Sequence, residues 1–161
     1  NWSVEGDGDY TYKVASPLYS GSKMRMYLTS KQPAFVYMIG TGSVDKTVNT
    51  LFPVRGLSPA MNYLNNEVAL PSEDLYFQMD NTKGKDYMIV IYSKTKLNIK
   101  QIRNDISSSS GDLSSRITNA LSDILIDTKQ IKFSEDKIDF KVEQNNGSKK
   151  AFAMIIEFEH Q

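Results

Sequence analysis

Apolar residues that recur at every second position constrain this chain more than any other feature of its sequence. Met24, Met26 and Leu28 alternate with polar or aromatic residues. Phe152, Met154, Ile156 and Phe158 also recur at every second position, with Ala151, Ala153 and Ile155 on the other parity. Successive side chains of a β-strand point to opposite faces, so each segment predicts a strand with one buried face. Residues 33–40 are apolar on both parities, which predicts a central strand covered on both sides.

The period of the pattern changes between residues 97 and 126. Asn98 precedes a stripe of isoleucines at helical spacing, and Asp112 or Ser110 precedes a second apolar stripe. Asn, Asp and Ser are favoured at the first position of a helix because their side chains accept otherwise unpaired backbone N–H groups. The segment therefore predicts two amphipathic helices that pack on the rest of the chain.

About nine strand signals with one inserted helical pair predict a mainly β fold. Since strands do not alternate with helices, the pattern favours a β-sandwich with a two-helix insertion at 97–126 packed on it, α+β by content, over a βαβ fold. A chain of 161 residues buries enough surface for one core. We expect a single domain over 1–161, flexible at 1–8 and ending in a hairpin at 131–159.

The composition excludes several classes of function. Lys and Arg number 19 and Asp and Glu number 19, so no net field attracts nucleic acid. The chain has no Cys and a single His, which removes thiol nucleophiles and zinc sites that need sulfur or two imidazoles. No apolar run approaches the ~18 residues of a membrane span. We expect no metal, no cofactor, no nucleic acid and no transmembrane segment.

Two motifs that bind ions elsewhere are incomplete here. Residues 40–47 have the glycines and the Lys of a phosphate loop, but Asp45 stands where Gly should precede Lys46, and a strand pattern follows. Acidic residues at 5, 7 and 9 are spaced like calcium ligands, but the later bidentate Glu is missing. A plain hairpin turn and a frayed N-terminus are the better interpretations.

No catalytic set can be assembled from the sequence. The acidic residues are scattered, Gly-x-Ser-x-Gly does not occur, and we expect His160, next to the last residue, to be an exposed tail residue. We therefore predict that the chain is not an enzyme, with no catalytic residues. A hydrolase built on scattered carboxylates stays as the enzymatic alternative.

Aromatic and Arg side chains in loops are the candidate contacts with a partner. Tyr63 and Arg55 lie in the loop region after Leu51-Phe52-Pro53, and such side chains carry much of the binding energy in protein interfaces. Loop tyrosines also stack on sugars, so a small-ligand or glycan-binding, lectin-like β-sandwich remains the alternative function.

The stretch 20–93 carries an ordered set of motifs. These are Leu51-Phe52-Pro53, an Asn-rich loop at 62–66, a short strand that ends at Pro71, and Gly-Lys-Asp at 84–86 before a strand that ends in Ser93. The set resembles a bacterial module of unknown function that is often appended to caspase-like peptidase or kinase domains.

The resemblance implies an accessory β-sandwich without catalytic residues of its own. It also implies an exported or envelope-associated bacterial protein, hence a periplasmic, outer-membrane-associated or secreted location. The sequence opens at Asn1 without a Met or a leader, so we expect a mature or trimmed chain. The function predicted is a non-catalytic interaction module that binds a protein partner.

Overall fold

The computed structural model describes residues 4–6, 11–133, 140–142 and 147–161. Asp7 and Asp9 of the acidic N-terminal segment lie outside these ranges, as do residues 134–139 and 143–146 of the predicted C-terminal hairpin.

Strands form most of the regular structure. They are β1 (Val4–Gly6), β2 (Thr11–Val14), β3 (Lys23–Met24), β4 (Met26–Thr29), β5 (Ala34–Gly42), β6 (Asn49–Phe52), β7 (Ala60–Met61), β8 (Glu67–Leu70), β9 (Phe77–Gln78), β10 (Gly84–Ser93), β11 (Ile131–Phe133), β12 (Phe140–Val142) and β13 (Ala151–His160). The helices are α1 (Ile99–Ser108) and α2 (Leu113–Leu121).

A central sheet organises the molecule. Its strand order is β1-β2-β13-β10-β5-β6, and β7 also pairs with β5. Neighbours are antiparallel except β13 and β2, which run parallel. The long strands β5, β10 and β13 lie in the middle and are buried on both faces, as their continuous apolar runs require.

The two helices cover one face of the central sheet. Asn98 and Asp112 cap them as predicted, accepting the backbone N–H groups of Gln101 and Ser115. The Tyr37 hydroxyl accepts the N–H of Leu97 at 2.8 Å, which fixes the start of the helical segment on the sheet. Buried aliphatic residues join the two layers: Ile102, Ile106, Ile117 and Leu121 from the helices, and Ile39, Ile89, Ile91 and Ile155 from the sheet.

Two short ribbons cover the other face. The ribbons β3–β9 and β4–β8 are each two-stranded and antiparallel. The core beneath them is rich in Met and Phe side chains, among them Met24, Met38, Phe52, Met61, Phe77, Met88, Phe152, Met154 and Phe158. Layers of sheet, ribbon and helix with no closed barrel in the described residues agree with the predicted mainly β fold and its two-helix insertion.

Two predictions about pairing are corrected by the structure. The single strand expected from Met24 to Leu28 is split into β3 and β4, which pair with different partners. In the predicted hairpin at 131–159, β12 pairs with β11 instead of β13, because β10 and β2 flank β13. Residues 4–6 form β1, which pairs with β2; the flexibility expected of residues 1–8 stays a prediction.

Among the described residues, no helix has the length and apolar character needed to cross a membrane.

Candidate functional site

Three residues distant in sequence form a hydrogen-bonded chain at one end of the central sheet. His160 Nδ1 lies 2.9 Å from Asp86 Oδ2, and His160 Nε2 lies 3.1 Å from Ser20 Oγ. The His160 side chain is 0% exposed and that of Asp86 is 30% exposed. We call these three residues the clasp.

The expectation that His160 is an exposed tail residue is wrong. β13 pairs with β10 as far as its last residue, with Gly84 opposite His160. His160 also shares the parity of Phe152 and Phe158, whose side chains face the core. The alternation that predicted the strand, extended by one step, would have placed this imidazole inside.

The clasp has the connectivity of a serine hydrolase triad. A carboxylate at Nδ1 favours the tautomer in which Nδ1–H donates to Asp86, which leaves Nε2 to accept the Ser20 hydroxyl proton. Burial raises the pKa of Asp86, and the hydrogen bond from His160 offsets part of that rise. This arrangement has no local signal in the sequence, which contains no Gly-x-Ser-x-Gly serine elbow.

The amide groups around Ser20 are engaged in other bonds. The N–H of Ser20 donates to Gln161 O, that of Gly21 to Met79 O, and that of Ser22 to Tyr19 O, at 3.3, 3.1 and 2.9 Å. Acyl transfer depends on free donors that stabilise the oxyanion. These three amides are therefore not free to bind an oxyanion beside Ser20.

The second candidate region is a groove open to solvent. A groove of about 500 Å³ lies beside β8, and we call it the β8 groove. Its lining combines buried apolar side chains with exposed polar ones. The floor includes Phe52, Leu57, Met61 and Leu70, and the rim includes Tyr63, Glu67 and Glu73.

β8 lies along this groove. β8 pairs with β4 on one side, and all four of its residues line the groove. Among the described residues, no other strand pairs with β8. An unpaired edge presents alternate N–H and C=O groups that can hydrogen-bond to an added strand.

Arg25 holds one wall of the groove in place. Its Nε donates to the carbonyl of Leu75 at 3.0 Å, and its Nη2 donates to the carbonyl of Glu73. The guanidinium lies over the Tyr76 ring, 3.9 Å from its centroid. These contacts fasten the 72–76 segment, which continues from the wall of the groove.

Of the two residues predicted to bind a partner, one lines the groove and the other does not. Tyr63 lines the groove and is 72% exposed. Arg55 is exposed in the segment between β6 and β7, the segment that also carries Leu57, but it is not among the groove-lining residues. Sequence reasoning missed Glu67 and Glu73, because a carboxylate beside a strand is usually solvated.

A smaller cavity of about 180 Å³ lies between the ends of β5, β6, β9 and β10. The segment that resembles a phosphate loop forms its rim, but Asp45 uses the turn's own donors: its carbonyl accepts the Gly42 N–H and its Oδ1 accepts the Thr47 N–H, both at 3.0 Å. The turn therefore has the hairpin role expected of it. The described residues contain no cluster of three or more His, Cys, Asp or Glu able to hold a metal.

Residues 18–96 match a family described as a domain of unknown function (DUF4384). The match spans β3 to β10, and so includes Ser20, Asp86 and the whole β8 groove, but not His160. No curated protein and no solved structure shows a significant similarity to the chain.

Proposed function

We propose that this chain is a non-catalytic interaction module that binds a protein partner at the β8 groove. The observation that carries the proposal is the position of Tyr63, 72% exposed at the rim of an apolar groove beside an unpaired strand edge. Exposed aromatic side chains next to apolar pockets are typical anchors of protein interfaces.

Arg55 contributes an outer contact in this proposal. It is exposed on the segment that leads to Leu57 in the groove floor, so a partner seated in the groove passes near it. Contacts at the edge of an interface contribute less than anchors at its centre. Arg55→Ala is therefore expected to weaken binding less than Tyr63→Ala.

The absence of catalysis is part of the proposal. It is supported by the engaged amides around Ser20, which leave the clasp without the donors that acyl transfer requires. The bacterial, exported or envelope-associated setting, with a caspase-like peptidase or kinase domain elsewhere in the protein, is supported by the sequence resemblance alone.

The experiment is a crosslinking capture from envelope and cytosolic fractions of the source cells, scored by mass spectrometry. Wild type is compared with Tyr63→Ala, Arg55→Ala and Tyr19→Ala, the last being an exposed tyrosine outside the groove. A protein captured by wild type and Tyr19→Ala and lost with Tyr63→Ala supports the proposal. Equal capture by Tyr63→Ala and wild type contradicts the site.

The cavity of about 180 Å³ favours a second candidate function, the binding of a small ligand or glycan. Its floor includes Phe77 and Met88, and Asn49, Thr82 and Gln78 supply polar groups at its rim. Pockets of this composition bind small molecules through a few placed hydrogen bonds. Titration with cell-wall and host glycans tests it, and no binding at millimolar concentration would remove it.

A further inference from the structure

We propose that the segment bound in the β8 groove is an extended, basic peptide that adds to β8 as a further strand. This inference rests on the proposed function and specifies the chemistry of the partner. Its apolar side chains lie on the groove floor, and its Lys or Arg side chains lie beside Glu67 and Glu73.

The backbone of β8 supports the addition of a strand. β8 runs from Glu67 to Leu70 with its ladder to β4 on one side only among the described residues. Its other side lies along the groove, where a peptide backbone can pair with it. Strand addition of this kind obtains affinity from main-chain hydrogen bonds and specificity from pockets for alternate side chains.

The charges at the groove support a basic peptide. Glu67 and Glu73 are the charged side chains among its lining residues, and no Lys or Arg lines it within the described part of the chain. Arg25, which bonds to the wall segment, is already directed to two backbone carbonyls and the Tyr76 ring. Complementary charge steers binding and disfavours acidic partners.

The apolar floor of the groove favours a peptide with apolar side chains at every second position. Side chains of an added strand point alternately into the groove and away from it. Those that point inward meet Phe52, Leu57, Met61 and Leu70, while Tyr63 packs from the rim. With four residues in β8, the paired part of the peptide is about four to six residues long.

The test is a selection of displayed random eight-residue peptides on the immobilised full chain. The most enriched peptide is then synthesised with a fluorophore, and its affinity is measured by fluorescence anisotropy. The variants are Tyr63→Ala and the double substitution Glu67→Lys with Glu73→Lys. Asp74→Lys, at an exposed acidic neighbour that does not line the groove, is the charge control for each single substitution, Glu67→Lys and Glu73→Lys, which are measured beside the double variant. A peptide N-methylated at alternate amides tests the backbone pairing.

The proposal expects enriched peptides that alternate apolar residues with Lys or Arg. The double substitution is expected to lower the affinity about tenfold or more, whereas Asp74→Lys is expected to lower it by less than about twofold. N-methylation in one of the two alternate registers is expected to lower the affinity about tenfold as well, because it removes backbone hydrogen bonds to β8. Enriched peptides that depend on Tyr63 but lack basic residues, or that bind the double variant equally, overturn this inference and leave the proposed function standing. Equal binding of both N-methylated registers overturns the strand addition. The absence of any peptide that depends on Tyr63 overturns both.

Discussion

The clasp and the β8 groove differ in how completely their polar groups are satisfied. In the clasp, both imidazole nitrogens of His160 have partners, and the amides of residues 20–22 are all bonded. Along the groove, one edge of β8 has no partner strand among the described residues, and Tyr63 is exposed. The region that resembles an active site is closed, and the region without catalytic residues is open.

The comparison shows why residue identity alone is a poor guide to function. A Ser, a His and an Asp in one hydrogen-bonded chain suggest catalysis, but the groups around them determine whether acyl transfer is possible. We interpret the clasp as the fastening between the loop before β3, the start of β10 and the end of β13. The groove is the surface where a partner can pair with backbone N–H and C=O groups of β8 without breaking hydrogen bonds within the protein.

The largest effect is expected from His160→Ala. This change removes both clasp hydrogen bonds and leaves the partly buried Asp86 carboxylate without its partner. The free energy of unfolding is expected to fall by about 2–4 kcal/mol, measured by urea denaturation. Gln161→Ala, at the exposed neighbouring position, should stay within about 0.5 kcal/mol of wild type. A change below about 0.5 kcal/mol for His160→Ala would show that the clasp does not fasten the fold.

The groove is expected to respond in the opposite way to substitution. Tyr63→Ala should lower affinity for a groove-bound partner by about 2 kcal/mol, or roughly thirtyfold, because it removes an interface anchor. Its free energy of unfolding should stay within about 0.5 kcal/mol of wild type, since the side chain is exposed. Calorimetric titration and urea denaturation of the same sample give both numbers. Loss of stability with unchanged affinity would reverse the roles assigned to the two regions.

A smaller effect is expected at the wall of the β8 groove that Arg25 holds. Arg25→Ala removes the bonds to the carbonyls of Leu75 and Glu73 and the stacking on Tyr76. Because the site is exposed, the free energy of unfolding should fall by only about 1 kcal/mol. Hydrogen exchange of residues 72–76 should increase at the same time. Arg25→Lys should recover little, since an ammonium cannot reproduce the planar stack.

The smallest effect is a difference in acid response between two carboxylates. Burial raises the pKa of Asp86 above 3.8, so the folded state binds the proton of this carboxyl group more tightly than the unfolded state does. The contribution of Asp86 to stability therefore grows as the pH falls from the raised folded-state pKa towards 3.8. The hydrogen bonds from Ser115 lower the pKa of Asp112 below 3.8, so its contribution is present above that value and is lost as the pH falls through the lowered folded-state pKa.

Urea denaturation at a series of acid pH values separates the two groups. Asp86→Asn should make the acid loss of stability steeper, and Asp112→Asn should make it shallower. The same direction of change in both variants would contradict the environments described for them.

The elements that could be predicted from the sequence are those set by local periodicity. The alternation along β13 and the run of β5 gave strands, and Asn98 and Asp112 gave helix starts, because side-chain direction and capping depend on neighbours in sequence. Strand partners could not be predicted, since alternation places side chains on a face without naming the adjacent strand. β12 shows this limit, because its apolar pattern is equally compatible with pairing to β11 or β13.

The two candidate sites depend on contacts between residues distant in sequence. Ser20, Asp86 and His160 meet because β10 lies beside β13 and the loop before β3 runs against the end of β13. Tyr63 could be proposed from its loop, but the groove beside it forms only when β8 pairs with β4 and not with the central sheet. Each site follows from topology that the local pattern does not encode.

Amide hydrogen exchange of the free protein, resolved by residue with NMR, tests the contrast between the closed clasp and the open groove most directly. We predict slow exchange at Ser20, Gly21 and Ser22, whose amides are bonded. We predict fast exchange at alternate residues of Glu67–Leu70, because β8 pairs only with β4 among the described strands. Uniform protection along β8 together with fast exchange at residues 20–22 would contradict the account.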